Sequence, residues 1–563
     1  MKTQIQTRIG TLGLTLALLV GLAPWAGAVD KYWIATGAEN WNNTANWSLS
    51  SGGAGNAGVP GNNDVVFFDG NGTGACTINT AVNVLGINIA AVYGGTISQG
   101  AFAITVGNTG WTQAGGTFTG SASAIGTTAS FSLTGGTFNA GAGQSITLSG
   151  AYSHFNVSGG TFSPSTSTVS FTGGGNVDHN SNLNTGSNSL YNCVFNKGSY
   201  GNVTAVGTVT ISGKLTLTSG HRLSGNFNVA GNVDTASSVL DYYTTGTITL
   251  NGAGSQTIRN TGGGGRLPNI VINKSSGTAY LVGGLTIIGA TSHFTQTAGS
   301  LDAGTSTLIF GSVSESGSGG DLSNITVTDP LYNLTQSKGR DFGRLNVVGS
   351  VTVNNNLAIT GGHGLLGTIY VKGNVSQSAG NSTSLSTAAI TLNGTGAQTI
   401  SITTGTFPSG TLTINKASGT VTLGSNVSLS TAGQDLIWTS GGLNLATYTL
   451  TVADQVTIAD GATTLGVTVA GTAPSNGRLT CNGTVSGLAN AGLAVTVTAT
   501  EAQVLEQTYT ILSNNTALGA QFAPPVTWGG DWRGTVDYSA NSDKNVTLSN
   551  VRLVPGGTVL VVQ

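Results

Sequence analysis

The chain has 563 residues, 18 Lys and Arg against 20 Asp and Glu, a charged fraction of 7% and a formal net charge of −2, where an average soluble domain is about 25% charged. So few cations, spread thinly, make no basic patch able to neutralise a phosphate backbone, which excludes nucleic acid as an expected partner. Its 89 Gly and 10 Pro stay below the roughly 25–30% typical of unstructured low-complexity chains, so the chain is expected to fold.

Residues 1–28 read as a secretory signal: Lys2 and Arg8, then an apolar run over 9–22, then small residues at 26–28. The expected mature chain begins near Val29 and is secreted. No later stretch approaches about 18 uninterrupted apolar residues, so no transmembrane span is expected in it. Cys76, Cys193 and Cys481 are odd in number and far apart. They spell no disulfide framework and are expected mainly as buried thiols.

Residues 29–80 form an expected N-terminal cap rich in tryptophan. Trp33, Trp41 and Trp47 fall close together, either to cover the open end of a repeat body or to stack on sugar rings. The turn "DGNGTG" follows at residues 69–74. Asp69, Asn71 and Thr73 offer oxygens at alternate positions, which makes them the candidate calcium ligands; no terminal Glu follows, and simple turn chemistry accounts for the same residues. The next segment reads as strand, so the glycines do not cradle a dinucleotide. No other cofactor is expected.

Residues 81–175 carry a short beat, "GGTI" from Gly94 and "GGTF" from Gly115, Gly135 and Gly159, at spacings of 21, 20 and 24. Apolar and small polar residues alternate between Gly, Asn and Ser turns, as strands of four to six residues would. Residues 176–460 add a longer period. Four phrases end in Lys197, Lys274, Lys338 and Lys416, and "TITLNGAGSQTI" at 247–258 returns as "AITLNGTGAQTI" at 389–400 with nine of twelve residues unchanged. Residues 154–171 align without a gap on 293–310, so a unit of about 70 residues is duplicated in pairs near 140. Coils of roughly 20 to 24 residues that cannot bury an apolar face alone are the signature of a parallel β-solenoid. At about 4.8 Å per coil the body should be a rod of roughly 80 Å, with apolar ladders inside, Asn ladders at turns, and little charge because like charges would stack.

Residues 461–563 read as further β coils and a C-terminal cap. Trp528, Trp532 and Tyr538 make a second aromatic set, with the same choice between capping and glycan stacking. Acidic residues such as Asp178, Asp234, Asp302 and Asp454 are solitary, so the paired carboxylates of a polysaccharide lyase or hydrolase are not read and no enzyme is expected. His154, His179, His221, His293 and His363 show no metal-binding spacing; His154 and His293 occupy equivalent repeat positions, as ladder or turn residues would. "SGSGGDLSN" around Asp321 faintly echoes calcium-binding glycine repeats but occurs once.

The Trp-rich opening with its "NW…NW…P…DVVF" arrangement, the phrase "LTINKASGTVTLGSNVSLS" from Leu412, and the closing "TYTILSNNTALGAQF" and "VDYSANSDKNVTLSNV" resemble exported bacterial β-solenoid proteins of the autotransporter-associated β-strand-repeat type. That resemblance spans most of the mature chain. It implies an all-β, right-handed parallel β-helix with N- and C-terminal capping β segments, and an adhesin-like or matrix-forming role at the bacterial cell surface. No translocator barrel is expected, since the sequence closes on "VRLVPGGTVLVVQ". The expected function is a structural or adhesive rod that self-associates or contacts glycans; the alternative is a carbohydrate-binding or polysaccharide-degrading β-helix.

Overall fold

The computed structural model describes residues 29–174, 178–220, 222–237, 240, 244–289, 291–311, 322–338, 343–361, 364–380 and 385–554. The signal segment, Asp321, His221 and His363 lie outside them. The described chain is a parallel β-solenoid of about 17 turns, which at about 4.8 Å per turn makes a rod of roughly 80 Å. One sheet of 38 strands and two of six run along it.

Alternation along each strand sends one side chain inward and the next to solvent. Stacking then places like over like. The "GGTF" phenylalanines become a ladder, Phe118 over Phe138 over Phe162, with ring centroids 4.6 Å and 5.5 Å apart and nearly parallel planes. Trp111, Phe131 and Phe155 form a second aromatic column, all within 1% exposure. Burying one such ring stabilises the fold by about 2–3 kcal/mol.

The paired glycines of that phrase have separate reasons. A Cβ on Gly135 would sit 2.3 Å from the Ala114 carbonyl oxygen, whereas Gly136 turns the chain at φ +69°, a region costly for residues with a side chain. The first glycine permits close approach and the second permits the corner.

All three cysteines are ladder residues and none is bridged. Cys76 stacks under Ile97, Cys193 lies between Val169 and Leu215, and Cys481 beside Val452, each a buried free thiol. Amide ladders run along the rod as well: Asn184 donates to Asn156 at 2.8 Å, Asn202 to Asn180 at 2.8 Å, Asn346 to Asn324 at 3.0 Å and Asn355 to Asn333 at 3.0 Å.

Strand pairing is parallel along the rod and turns antiparallel at both ends. Trp47–Ser48 runs antiparallel against the first strand, Val29–Trp33. At the other end, Asn545–Leu553 pairs antiparallel with both Tyr509–Asn514 and Trp532–Ser539. Reversal gives the Tyr509–Asn514 backbone a partner without starting another coil.

Candidate functional site

The N-terminal tryptophans are drawn together by the first turns of the sheet. Trp33 and Trp47 are register partners across the antiparallel pair, with centroids 5.1 Å apart, and Trp41 meets Trp47 edge-on at 4.8 Å. Phe68 closes the cluster 5.8 Å from Trp33. The Trp33 indole donates to the Gly74 carbonyl at 3.1 Å and the Trp47 indole to the Trp41 carbonyl at 2.7 Å. Trp33, Trp41 and Trp47 are within 1% exposure. Their rings face one another and the core, so none presents a stacking face to solvent.

The candidate calcium loop is a bonded turn. Asp69 Oδ1 accepts from the Asn71 backbone N–H at 2.9 Å, Asp69 Oδ2 accepts from the Ser51 hydroxyl at 2.5 Å, and Asn71 Nδ2 donates to Ser51 Oγ at 2.6 Å. Thr73 and Asn71 are exposed. The glycines let the turn lie on its neighbour: a Cβ on Gly72 would fall 2.0 Å from the Trp33 carbonyl oxygen and one on Gly74 1.9 Å from that of Gly37. Both carboxylate oxygens of Asp69 are thus engaged within the fold. Among the described residues no group of three or more His, Cys, Asp or Glu is placed to hold a metal.

The four lysines that end the repeated phrases are buried. Lys197, Lys274, Lys338 and Lys416 are exposed by 0–2%. Lys274 Nζ donates to the carbonyls of Gly252 and Gly254 and to Gln256 Oε1, each at 2.7 Å. Lys416 repeats this on Gly394 at 2.6 Å, Gly396 at 2.8 Å and Gln398 at 2.5 Å. The twice-used phrase is therefore a cradle for an ammonium arriving one turn later. Gln256 is itself fixed, accepting from the Gly252 N–H at 2.8 Å while its amide donates to the carbonyls of Val229 and Gly231. Three turns are tied through one amide. Glycine is needed at 252 because a Cβ there would meet the Ala230 carbonyl oxygen at 2.0 Å.

Lys197 and Lys338 occupy a second kind of seat. Lys197 Nζ donates to the Ala151 carbonyl at 2.9 Å and to Ser181 Oγ at 2.6 Å, and Lys338 Nζ to the Gly289 carbonyl at 3.4 Å. Beside each stands a histidine whose Nδ1 accepts a backbone N–H: His154 from Asn182 at 2.8 Å and His293 from Asn324 at 3.0 Å. That bond requires an unprotonated Nδ1. Burial, and then the charge of Lys197 or Lys338, pushes these imidazoles below the ordinary histidine range. Burial likewise pushes the Lys197 ammonium down to about 8, and lowers Lys274 and Lys416.

No carboxylate among the described residues pairs with Lys197, Lys274 or Lys416. Carbonyl and amide dipoles take the place of a counter-ion. An uncompensated buried ion costs several kcal/mol, and hydrogen bonds to a charged donor return about 1.5–3 kcal/mol each, so the three acceptors of the Gln-type cradle are of the size needed. The sequence displays these lysines at a fixed place in each unit but does not show their burial, because a lone Lys after a strand ordinarily faces water. Their cradling "NGxGxQ" phrase was the available signal.

At the far end Trp528, Trp532 and Tyr538 are half-buried and pack on the core. The Tyr538 hydroxyl accepts from the Phe522 N–H at 3.3 Å, and the Trp528 ring lies over Gly534, where a Cβ would come within 2.5 Å of it. The two aromatic sets belong to opposite ends of the solenoid and form no common surface. The carboxylates are equally dispersed: Asp234 holds Lys214 at 3.2 Å and Arg259 at 3.0 Å, and Asp178 holds Arg222 at 3.0 Å.

Fold and interior together define a parallel β-solenoid rod stapled by buried lysines. Comparison with protein-family models, with curated proteins and with solved structures finds no match to the chain.

Proposed function

We propose that the protein is an exported structural or adhesive rod of a bacterial cell surface or extracellular matrix. The observation that carries this reading is the continuity of the solenoid, about 17 turns whose inward positions are filled by packed side chains. Such a body has length and stiffness as its main properties. Its scarcity of charge leaves little repulsion against contact between rods. The signal-like opening supports export, and the resemblance to autotransporter-associated β-strand-repeat proteins supports a surface role. The C-terminal end, where Trp528, Trp532 and Tyr538 are only half-buried, is the region through which rods would meet each other or a glycan.

Negative-stain electron microscopy of residues 29–563 over a range of concentrations tests the proposal. Filaments or sheets that grow with concentration support a matrix component. Dispersed single rods remove the assembly part of the reading and leave attachment, and compact particles would sink the rod itself.

A second reading, a carbohydrate-binding β-helix, is favoured by a pocket at the C-terminal end.

A further inference from the structure

Arg533 and Arg552 stand directly opposite each other on the antiparallel strands Trp532–Ser539 and Asn545–Leu553. Like charges in that relation destabilise a sheet. In a chain with only 18 basic residues the juxtaposition calls for a reason, since neither guanidinium makes an ion pair with a carboxylate among the described residues. Arg533 donates only to the carbonyls of Gly530 at 3.1 Å and Trp532 at 2.5 Å. By contrast, Arg222 and Arg259 farther up the rod each hold an aspartate at 3.0 Å.

The two arginines line an open surface depression of about 330 Å³ with Leu505, Glu506, Thr535 and Asn550, all of them exposed, a shape that suits one unit of a surface-bound polymer. Two of its wall residues turn the chain through the left-handed region, Glu506 at φ +61° and Asn550 at φ +52°; asparagine adopts it readily, glutamate only at a cost. Asn550 Nδ2 donates to the Thr535 hydroxyl at 3.4 Å, and both residues are exposed, so the Asn550 side-chain carbonyl and the Thr535 hydroxyl remain open to a ligand.

We infer that this pocket binds the carboxylate of an acidic sugar, a uronic acid residue within a polysaccharide. Two guanidinium forks suit a planar carboxylate. Glu506 opposes a ligand with several anionic groups per ring but accepts hydrogen bonds from hydroxyls, so the pocket matches one carboxylate per ring set beside hydroxyls. Thr535 and Asn550 extend the hydroxyl recognition, and Leu505, an exposed leucine at 53%, offers an apolar surface to the C–H face of a pyranose ring. The inference deepens the attachment part of the proposal above and names its partner. It does not depend on rod assembly, which the microscopy reads separately.

The test is calorimetric titration of residues 29–563 with galacturonic acid oligomers, with neutral galactose oligomers and dextran sulfate as parallel probes. Uronate binding is expected, with none for the neutral oligomer, weaker binding to dextran sulfate, and a decline with added salt. Arg552→Gln and, separately, Arg533→Gln should weaken uronate binding about tenfold or more, and Glu506→Gln should narrow the preference over dextran sulfate. Because Arg552→Gln removes a like-charge pair, the free variant should melt at the same temperature as the parent or higher, which a residue kept only for folding would not do. No uronate binding at millimolar concentration overturns the inference, as does binding equal in parent and both arginine variants. Dextran sulfate binding as tightly as uronate would reduce the site to a generic anion patch and overturn it too.

Discussion

Lys274 Nζ lies 2.7 Å from Gln256 Oε1, 18 residues earlier in the chain and one turn below it in the solenoid. Lys416 and Gln398 repeat the relation at 2.5 Å. In each pair the glutamine also bonds to the coil beneath, so an ion and an amide together fix how three coils sit on one another. In a parallel solenoid a one-residue slip would turn the apolar rungs outward, but a two-residue slip keeps the same faces and aliphatic ladders oppose it less, since one rung resembles the next. A buried ammonium with three acceptors has one register in which it is satisfied.

That logic predicts unequal effects from the two partners. Gln398→Ala takes an acceptor from Lys416 and also strips a partner from the Gly394 N–H and the Val371 carbonyl; it should destabilise the rod by about 3–5 kcal/mol, the usual result of leaving a buried charge under-compensated. Lys416→Met removes the charge together with its desolvation cost and should be milder, about 1–2 kcal/mol. Urea unfolding followed by circular dichroism ranks the two variants. Equal losses would mean that the lysine contributes through packing alone.

Acid should loosen the rod at its histidine seats. The folded-state pKa values of His154 and His293 lie below the ordinary value, about 6.5 for an unfolded chain. As pH falls through about 6.5 the unfolded chain takes up protons that the folded chain refuses, so their contribution to stability is intact above that pH and declines below it. Melting temperature should therefore drop between pH 7.5 and 5.5. The double variant His154→Gln, His293→Gln should flatten that slope, and an unchanged slope would assign the acid sensitivity elsewhere.

The end cluster and the middle of the rod should respond differently to truncation. Trp47→Ala removes a fully buried indole and its 2.7 Å hydrogen bond to Trp41, at a cost of about 3–5 kcal/mol. Coils interact mainly with their neighbours, so the loss should stay local. Hydrogen exchange should quicken over the strands Val29–Trp33 and Asp64–Phe68 while the strands beyond residue 400 keep their protection. Uniform quickening would show that the rod unfolds as one unit.

How much of this was legible follows the physics of each residue type. The phenylalanines of "GGTF" announce their ladder because an apolar residue at a fixed beat has one destination, the interior. Cysteines in alternating strands read the same way, and all three are in the core. Lysine carries the opposite expectation, so Lys197, Lys274, Lys338 and Lys416 marked the repeat without revealing where their ammonium groups go. Trp33, Trp41 and Trp47 were ambiguous because an indole suits a core and a sugar-binding face equally; only the geometry, ring on ring, places them inside. Arg533 and Arg552 could not be singled out at all, since their meeting depends on an antiparallel register 19 residues apart that no repeat announces.

Glycine substitutions provide the sharpest separation of roles. Gly136 holds φ +69°, and a Cβ there would fall 2.4 Å from the Gly115 carbonyl oxygen; Gly126 has open space around its would-be Cβ and no positive φ. Both lie in short-period coils of similar composition. Gly136→Ala must strain the backbone and push apart two stacked corners, so it should cost more than about 1–2 kcal/mol. Gly126→Ala, in the strand Ile125–Thr127, reduces the freedom of the unfolded chain without a clash and should be neutral or stabilising by about 0.4–1 kcal/mol. Thermal melts of the two variants decide it, and a destabilised Gly126→Ala would mean that this outward strand position is packed against something the single rod does not contain.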